Sequence, residues 1–290
     1  MEREYLIGID MGGSEINAGL VDLNGKVMKK LTIPIDTKAT KAKIIDSIVF
    51  AVNKLKKDKI LGVGIGVAGV VDVKRGVALA PPNLPGWKEV PLKRILEDKL
   101  KIPVLIDNDA NCFAIAEYKI GLAKRMQNVV GVLVNSGISS GIVLGGKLCR
   151  TASGEIGHMT IDNREKCSCG NIGCLEAYSS GAVIEKKVKK LLNKKTITME
   201  EIARLAKTNS KVKKIVADAA VSLGVGLANM ALLLNPEIIS IGGSVTSIKG
   251  FVEAAEKEAN KRIKILENKV QIVKANTEDY GILGASSIAF

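Results

Sequence analysis

Short apolar runs, each closed by a glycine turn, alternate along this chain with longer stretches whose apolar residues share one helical face. Residues Tyr5 to Asp10 are mostly apolar and lead into Met11-Gly12-Gly13-Ser14, after which Ile16 to Val21 and Val27 to Ile33 continue as strand-like runs around Asn24-Gly25. This order predicts strand, glycine turn, strand, hairpin and strand. Between Lys41 and Lys56, residues Ile44, Ile45, Ile48, Val49 and Val52 recur at the spacing of an amphipathic helix. Ile60 to Val71 reads as a buried strand with a glycine-rich exit, Pro81 to Trp87 as a loop, and Leu92 to Leu100 as a short helix. Val104 to Ile106 reads as a short strand that ends on polar residues.

The opening theme returns from Asn128. An apolar run, Val129 to Val134, meets the small-residue turn Asn135 to Ser140, then another strand from Gly141 and a Gly145-Gly146 hairpin. Two related α/β halves are expected. Thr198 with Glu201 forms a capping box that starts a helix through Leu205. Val212 to Leu234 reads as a longer helix ended by Asn235-Pro236, followed by the strand Ile238 to Ile241 and Gly242-Gly243. The boundary is expected near Asp107, so that domain one is 1–107 plus 277–290 and domain two is 108–276.

Composition narrows the classes. With 290 residues, 47% hydrophobic and 25% charged, the chain is globular and long enough for two moderate domains. The net charge of +13 raises nucleic acid as a partner, but lysine outnumbers arginine 35 to 8, against base readout. Of that charge, +8 sits in the helical-looking segment from Gly181 to Lys214, which has no aromatic residue for base stacking. A solvated face is expected there and no nucleic-acid partner. One histidine excludes any mechanism needing two. Five cysteines, three of them crowded together, and no signal-peptide pattern at Met1 to Tyr5 point to a reducing cytoplasm. The longest nearly apolar stretch, Val225 to Leu234, is about half of the ~20 residues needed to cross a bilayer, and no membrane span is expected.

Three clusters carry chemistry. His158, Cys167, Cys169 and Cys174 form the pattern H-x8-C-x-C-x4-C, a donor set suited to a closed, tetrahedral, structural zinc. Asp10 to Ser14, D-M-G-G-S, ends a strand with glycines that admit phosphate and an aspartate that can hold hydrated magnesium. Asn135 to Gly141 and Gly242-Gly243 add two more small-residue turns after apolar strands, the arrangement of a nucleotide held between α/β halves. In Asp107-Asn108-Asp109-Ala110-Asn111, an acid at a strand end can serve as general base, while one member of the cluster caps the next helix.

Taken together, D-M-G-G-S, A-P-P-N-L-P-G-W, D-N-D-A-N, E-I-G-H, C-S-C-G-N-I-G-C-L-E and I-G-G-S resemble the ROK family of sugar kinases and repressors, nearest its glucokinase-like members. The resemblance spans essentially the whole chain. It implies two actin-like or hexokinase-like (ribonuclease H-like) α/β domains around a central cleft, and ATP-dependent phosphorylation of a hexose, foremost glucose. By matching position, Asp109 resembles the catalytic base, and Asn83, Asn108, Glu155, His158 and Glu176 resemble sugar-binding residues. Asp10, Gly12, Gly13 and Ser14, with Ser136 and Gly137, would lie at the phosphates and magnesium. Gly242 and Gly243 would lie near the adenosine. His158 would use one ring nitrogen on zinc and the other toward the sugar. A homodimer is implied.

The chain departs from the family in its second phosphate loop: Asn135-Ser136-Gly137-Ile138-Ser139-Ser140-Gly141 stands where G-T-G-x-G-G-G is usual. The stretch from Lys147 to Glu155 is also shorter than usual. The alternatives are an N-acetylmannosamine or N-acetylglucosamine kinase and a catalytically impaired sugar-binding protein. With the first strand expected from Tyr5, no room is expected for an N-terminal helix-turn-helix, which sets a DNA-binding regulator behind these.

Overall fold

The computed structural model describes residues 3–289 except 37–38, 81–83, 85, 151–153 and 268. It divides into two compact units, Met1–Gly121 with Thr277–Phe290, and Leu122–Asn276. In chain order the first unit contains β1 (Glu4–Met11), β2 (Glu15–Asp22), β3 (Val27–Pro34), α1 (Lys41–Leu55), β4 (Lys59–Val67), β5 (Val70–Asp72), β6 (Val77–Ala80), α2 (Leu92–Leu100), β7 (Val104–Asn108) and α3 (Asp109–Lys119). The second contains β8 (Val129–Val134), β9 (Ile138–Leu144), β10 (Lys147–Leu148), α4 (Glu176–Ser179), α5 (Gly181–Leu192), α6 (Met199–Leu205), α7 (Ser210–Leu234), β11 (Ile238–Gly242), α8 (Phe251–Arg262) and β12 (Gln271–Lys274). Helix α9 (Tyr280–Ile288) returns to the first unit.

Both units carry the same five-stranded plan. The first sheet runs β3-β2-β1-β4-β7, antiparallel across β3, β2 and β1 and parallel across β1, β4 and β7. The second runs β10-β9-β8-β11-β12 with the same sense at each step. Within each unit, the chain leaving the first of the two central parallel strands turns one way and the chain leaving the second turns the other. Such a divergence at strand carboxyl ends is where α/β sheets take their ligands.

In the first unit α9 lies on the sheet because a row of glycines makes room for it. Gly19, Gly8 and Gly64 sit side by side on β2, β1 and β4. A side chain on Gly8 or Gly64 would overlap the carbonyls of Ile282 or Ala285. That close seat buries Ile282 and Leu283 against Val21 and Ala116, worth roughly 1.5–3 kcal/mol for each large side chain. It also decides where α3 belongs. The Phe113 and Tyr280 rings meet edge to face at 4.9 Å, and Gly284 packs on the Cys112 backbone, so the unit ends at Gly121 rather than near Asp107.

Other boundaries also move. The run from Ile60 to Val71 breaks into β4 and β5 at Ala68-Gly69, where Gly69 has φ 93°. The basic segment from Gly181 to Lys214 is parts of three helices, interrupted first by Asn193 in the left-handed region (φ 51°). Helix α6 starts at the expected cap, with Thr198 Oγ1 accepting the Glu201 N–H. Helix α7 is 25 residues long, and by length and composition it could cross a membrane, which the shorter apolar stretch did not suggest. Its Val216, Ala219, Ala220, Leu223, Leu227 and Ala231 are instead buried in the second unit's core with Ile239, Ile241 and Phe251.

Candidate active site

The first unit brings two of the three clusters to the carboxyl ends of its parallel strands. Asp10 and Met11 end β1, and Gly12 N–H donates to Glu15 O at 3.0 Å to close the turn into β2. A Cβ on Gly12 would find only Glu15 O, at 3.4 Å. The fold does not demand glycine there, so the missing side chain leaves room outside the turn. Gly12 and Gly13 are half-buried, and Ser14 is exposed. Although part of Asp10 is open to solvent, its carboxyl is packed round by protein. Burial first, and then the neighbouring Glu15 charge, push it up to about 6. A buried acid beside a second carboxylate fits a cation, and Asp10 is the residue of this turn that would hold hydrated magnesium.

At the end of β7 the polar cluster sorts itself by hydrogen bonding. Asn108 is the N-cap of α3: its Oδ1 accepts the Ala110 N–H at 2.8 Å and the Asn111 N–H at 3.3 Å, while its Nδ2 donates to Gly69 O at 2.8 Å. Asp107 is fully buried and accepts from Asn108 N at 2.8 Å and Asn111 Nδ2 at 2.7 Å. Asp109, half-buried at the first position of α3, accepts the Ala110 N–H on Oδ1 at 2.9 Å, and the helix N-terminus favours its carboxylate. Asn83, the remaining sugar candidate of this unit, lies outside the described residues.

The second unit assembles the other candidates around β9. Gly154 precedes Glu155, and its carbonyl accepts the Ser140 N–H at 2.8 Å and the Ser140 hydroxyl at 3.1 Å. Any side chain on Gly157 would overlap Ile138 O. The E-I-G-H segment is therefore seated on the backbone of Ile138 to Ser140. Glu176, at the start of α4, reaches the same place. Its Oε2 accepts the Ile138 N–H at 3.0 Å, and its Oε1 accepts the Ser168 hydroxyl at 3.4 Å. Ser136 is exposed, Gly137 half-buried, and Gly242-Gly243 end β11 beside them, a Cβ on Gly243 falling 2.5 Å from Val134 O.

His158, Cys167, Cys169 and Cys174 converge, with one ligand atom from each lying within 4.8 Å of all the others. Cys167 Sγ is 3.7 Å from His158 Nδ1, and Cys169 Sγ is 3.7 Å from Cys174 Sγ. Bonds of about 2.3 Å to sulfur in a tetrahedron require edges of about 3.8 Å, so the donor set and its spacing fit zinc. Charge agrees. Burial, then the adjacent Cys169 and Cys167, push the Cys174 thiol up to about 12, whereas a backbone N–H from Asn171 draws Cys169 down. To bind as three thiolates this close, the sulfurs would need a cation beside them. With Nδ1 turned to the sulfurs, His158 Nε2 faces Glu155 Oε2 at 3.9 Å. Tyr178, which the sequence reading missed, steadies the loop: its hydroxyl accepts the N–H groups of Arg164 at 3.1 Å and Glu165 at 2.8 Å.

Two sheets of one strand order, each with a small-residue turn after its first central strand, define an actin-like α/β protein of the hexokinase type. A model of the ROK family matches residues 6–290, and the chain belongs to that family. It is 34% identical over 281 residues to a xylose repressor of Caldicellulosiruptor bescii, covering 89% of this chain and 70% of that one. It is 32% identical over 278 residues to a glucokinase of Streptomyces coelicolor, covering 88% and 87%. The crystal structure of a ROK family glucokinase from Streptomyces griseus, in complex with glucose and AMPPNP, superposes with a TM-score of 0.85 at 30% identity over 98% of both chains.

Proposed function

We propose that this protein is an ATP-dependent hexose kinase acting foremost on glucose. The carrying observation is the body built on β9, where Glu155, His158 and Glu176 are tied to the turn Ser136–Ile138 and to the four-ligand cluster. Carboxylates and an imidazole nitrogen suit a sugar, whose hydroxyls both donate and accept. A turn of small residues alongside suits phosphate. Likeness to glucokinases at about a third identity supports the same reading.

In this reading Asp109 takes the proton of the attacking sugar hydroxyl. The new bond to the γ-phosphorus forms as the bond to the ADP oxygen breaks, and the products are sugar phosphate and ADP. Most of the rate comes from positioning and charge neutralisation, since the transition state spreads charge over oxygens. Asn108 and buried Asp107 hold the start of α3 so that the Asp109 carboxylate keeps one orientation. Bound magnesium would supply positive charge to the phosphates, with Asp10 as its protein anchor. Bound zinc would supply order: His158 Nδ1 and three sulfurs would hold it, so that Nε2 stays turned to Glu155 and the sugar.

The test is a coupled assay with ATP and magnesium across glucose, other hexoses, N-acetylmannosamine and N-acetylglucosamine. Turnover on glucose is expected, and its absence on every sugar sinks the reading. A sugar-binding regulator is the second reading. It is favoured by the side chains at Asn135, Ser139 and Ser140 and by the likeness to xylose repressors, and saturable sugar binding without turnover would establish it.

A further inference from the structure

The turn after β8 carries side chains where the family loop is glycine-rich, and one of them makes a bond that glycine could not. Asn135 meets three segments at once. Its N–H donates to Gly137 O at 2.9 Å, its carbonyl accepts the Gly181 N–H at 2.7 Å, and its Oδ1 accepts the Ser244 N–H at 2.8 Å. A glycine at this position would keep the two main-chain bonds and lose the third. Ser244 opens the short 3-10 helix Ser244–Ser247, where first-turn N–H groups have no partner of their own. The Asn135 carboxamide caps that helix from 109 residues away in sequence. Gly243, at φ 98°, already brings the backbone after β11 against the Val134 main chain, and Asn135 pins what the glycine allows to approach.

We infer that Asn135 is a positioning residue for the donor nucleotide. By holding Ser244 against the turn Ser136–Gly137, it sets the width of the crevice at the carboxyl ends of β8 and β11. This rests on the kinase reading above. The two turns follow neighbouring parallel strands whose connections diverge, toward β9 on one side and β12 on the other, the place where such sheets take an adenine nucleotide. Two further side chains stiffen the same turn: Ser140 donates its hydroxyl to Gly154 O, and Glu176 accepts the Ile138 N–H. A mobile glycine loop would have to be ordered when nucleotide binds. A stapled turn meets the ligand already ordered, and less affinity is lost.

Two variants break the bond from opposite ends. Asn135→Ala removes the acceptor. Ser244→Pro removes the donor and suits proline, since 244 is the first helical position. Calorimetry with a non-hydrolysable ATP analogue and with glucose, kinetics at saturating ATP and thermal melts supply the readouts. Each variant is expected to raise the analogue Kd about tenfold, with glucose affinity kept within about twofold and kcat within about threefold. The double variant is expected to be no worse than either single one. The inference is overturned if analogue affinity is unchanged in both variants, or if the two effects multiply. It is equally overturned if analogue and glucose affinity fall together with the melting temperature, which is the mark of a general structural bond. An unsubstituted protein that binds no analogue defeats the kinase reading and this inference together; normal binding with insensitive variants defeats this inference alone.

Discussion

The turns after β1 and β8 occupy the same place in two sheets of the same order, yet they are built in opposite ways. After β1 the turn is open: a side chain on Gly12 would have room, Ser14 is exposed, and the carboxylates of Asp10 and Glu15 flank it. After β8 the turn is crowded and stapled by Asn135, Ser140 and Glu176 to segments that come from far along the chain. One topology thus supports an open turn flanked by carboxylates and a turn that is pre-ordered by side chains. Duplication of a fold fixes where a ligand can bind and leaves open how the backbone there is held.

The largest effect should separate chemistry from framework. Asp109→Asn keeps the shape at the start of α3 and removes the proposed base, so kcat should fall by about 10³-fold with glucose affinity kept. The melt should stay within about 3 °C of the parent, since the α3 cap belongs to Asn108. Turnover that survives within tenfold would show that another group takes the proton.

A second test asks whether the stapled turn depends on the thiol cluster. On the zinc reading the parent should carry about one zinc per chain, and Cys174→Ser should carry less and lose about 3–5 kcal/mol, because a buried ligand is removed from a closed site. Hydrogen exchange should then rise in 135–141 and 154–181, linked through Glu176 and Gly154, and stay unchanged in β1 and β2. Equal loosening of both turns would erase the distinction drawn here.

The open turn should respond to charge instead. Asp10 holds its proton up to about pH 6, above the ordinary 3.8. Between those values the unfolded chain ionises while the folded one does not, so stability falls as pH rises and the full penalty applies above pH 6. Its ceiling is about 3 kcal/mol. Asp10→Asn should therefore raise the melting temperature at pH 8 and leave it unchanged at pH 3. Magnesium should stabilise the parent at pH 8 and not the variant. A variant less stable than the parent at pH 8 would contradict a buried, uncompensated carboxylate.

Much of this was legible in the sequence because it rests on short-range pattern. The recurrence of an apolar run and small-residue turn near Tyr5 and again near Val129 marked the two sheets, and the spacing of His158, Cys167, Cys169 and Cys174 marked their convergence. What was not legible depends on contacts between distant segments. Nothing local to α3 says that it packs with Phe113 on Tyr280. Likewise no pattern reveals that Asn135 caps Ser244, or that Tyr178 takes two N–H groups of the loop before Cys167. The sugar candidate Asn108 was legible as polar and at a strand end, but which member of its cluster caps α3 was settled only by the direction of its carboxamide.

The smallest effect probes the two turns most directly, with one methyl group placed in each. Gly12→Ala puts a Cβ 3.4 Å from Glu15 O, an ordinary contact, so stability should change by less than about 1 kcal/mol. Gly137→Ala puts it 2.7 Å from Glu176 Oε2. The carboxylate can swing away, but only by giving up the Ile138 N–H, and the loss should be about 1–2 kcal/mol. In the open turn the methyl group takes up the space that phosphate would occupy on the kinase reading, so Gly12→Ala should weaken ATP binding while leaving the melt nearly intact. In the crowded turn, Gly137→Ala should lower the melt and weaken glucose and ATP together, since on the kinase reading Glu176 both binds the sugar and holds the phosphate turn. Equal effects of the two substitutions on melting and on both ligands would show that the turns are alike after all.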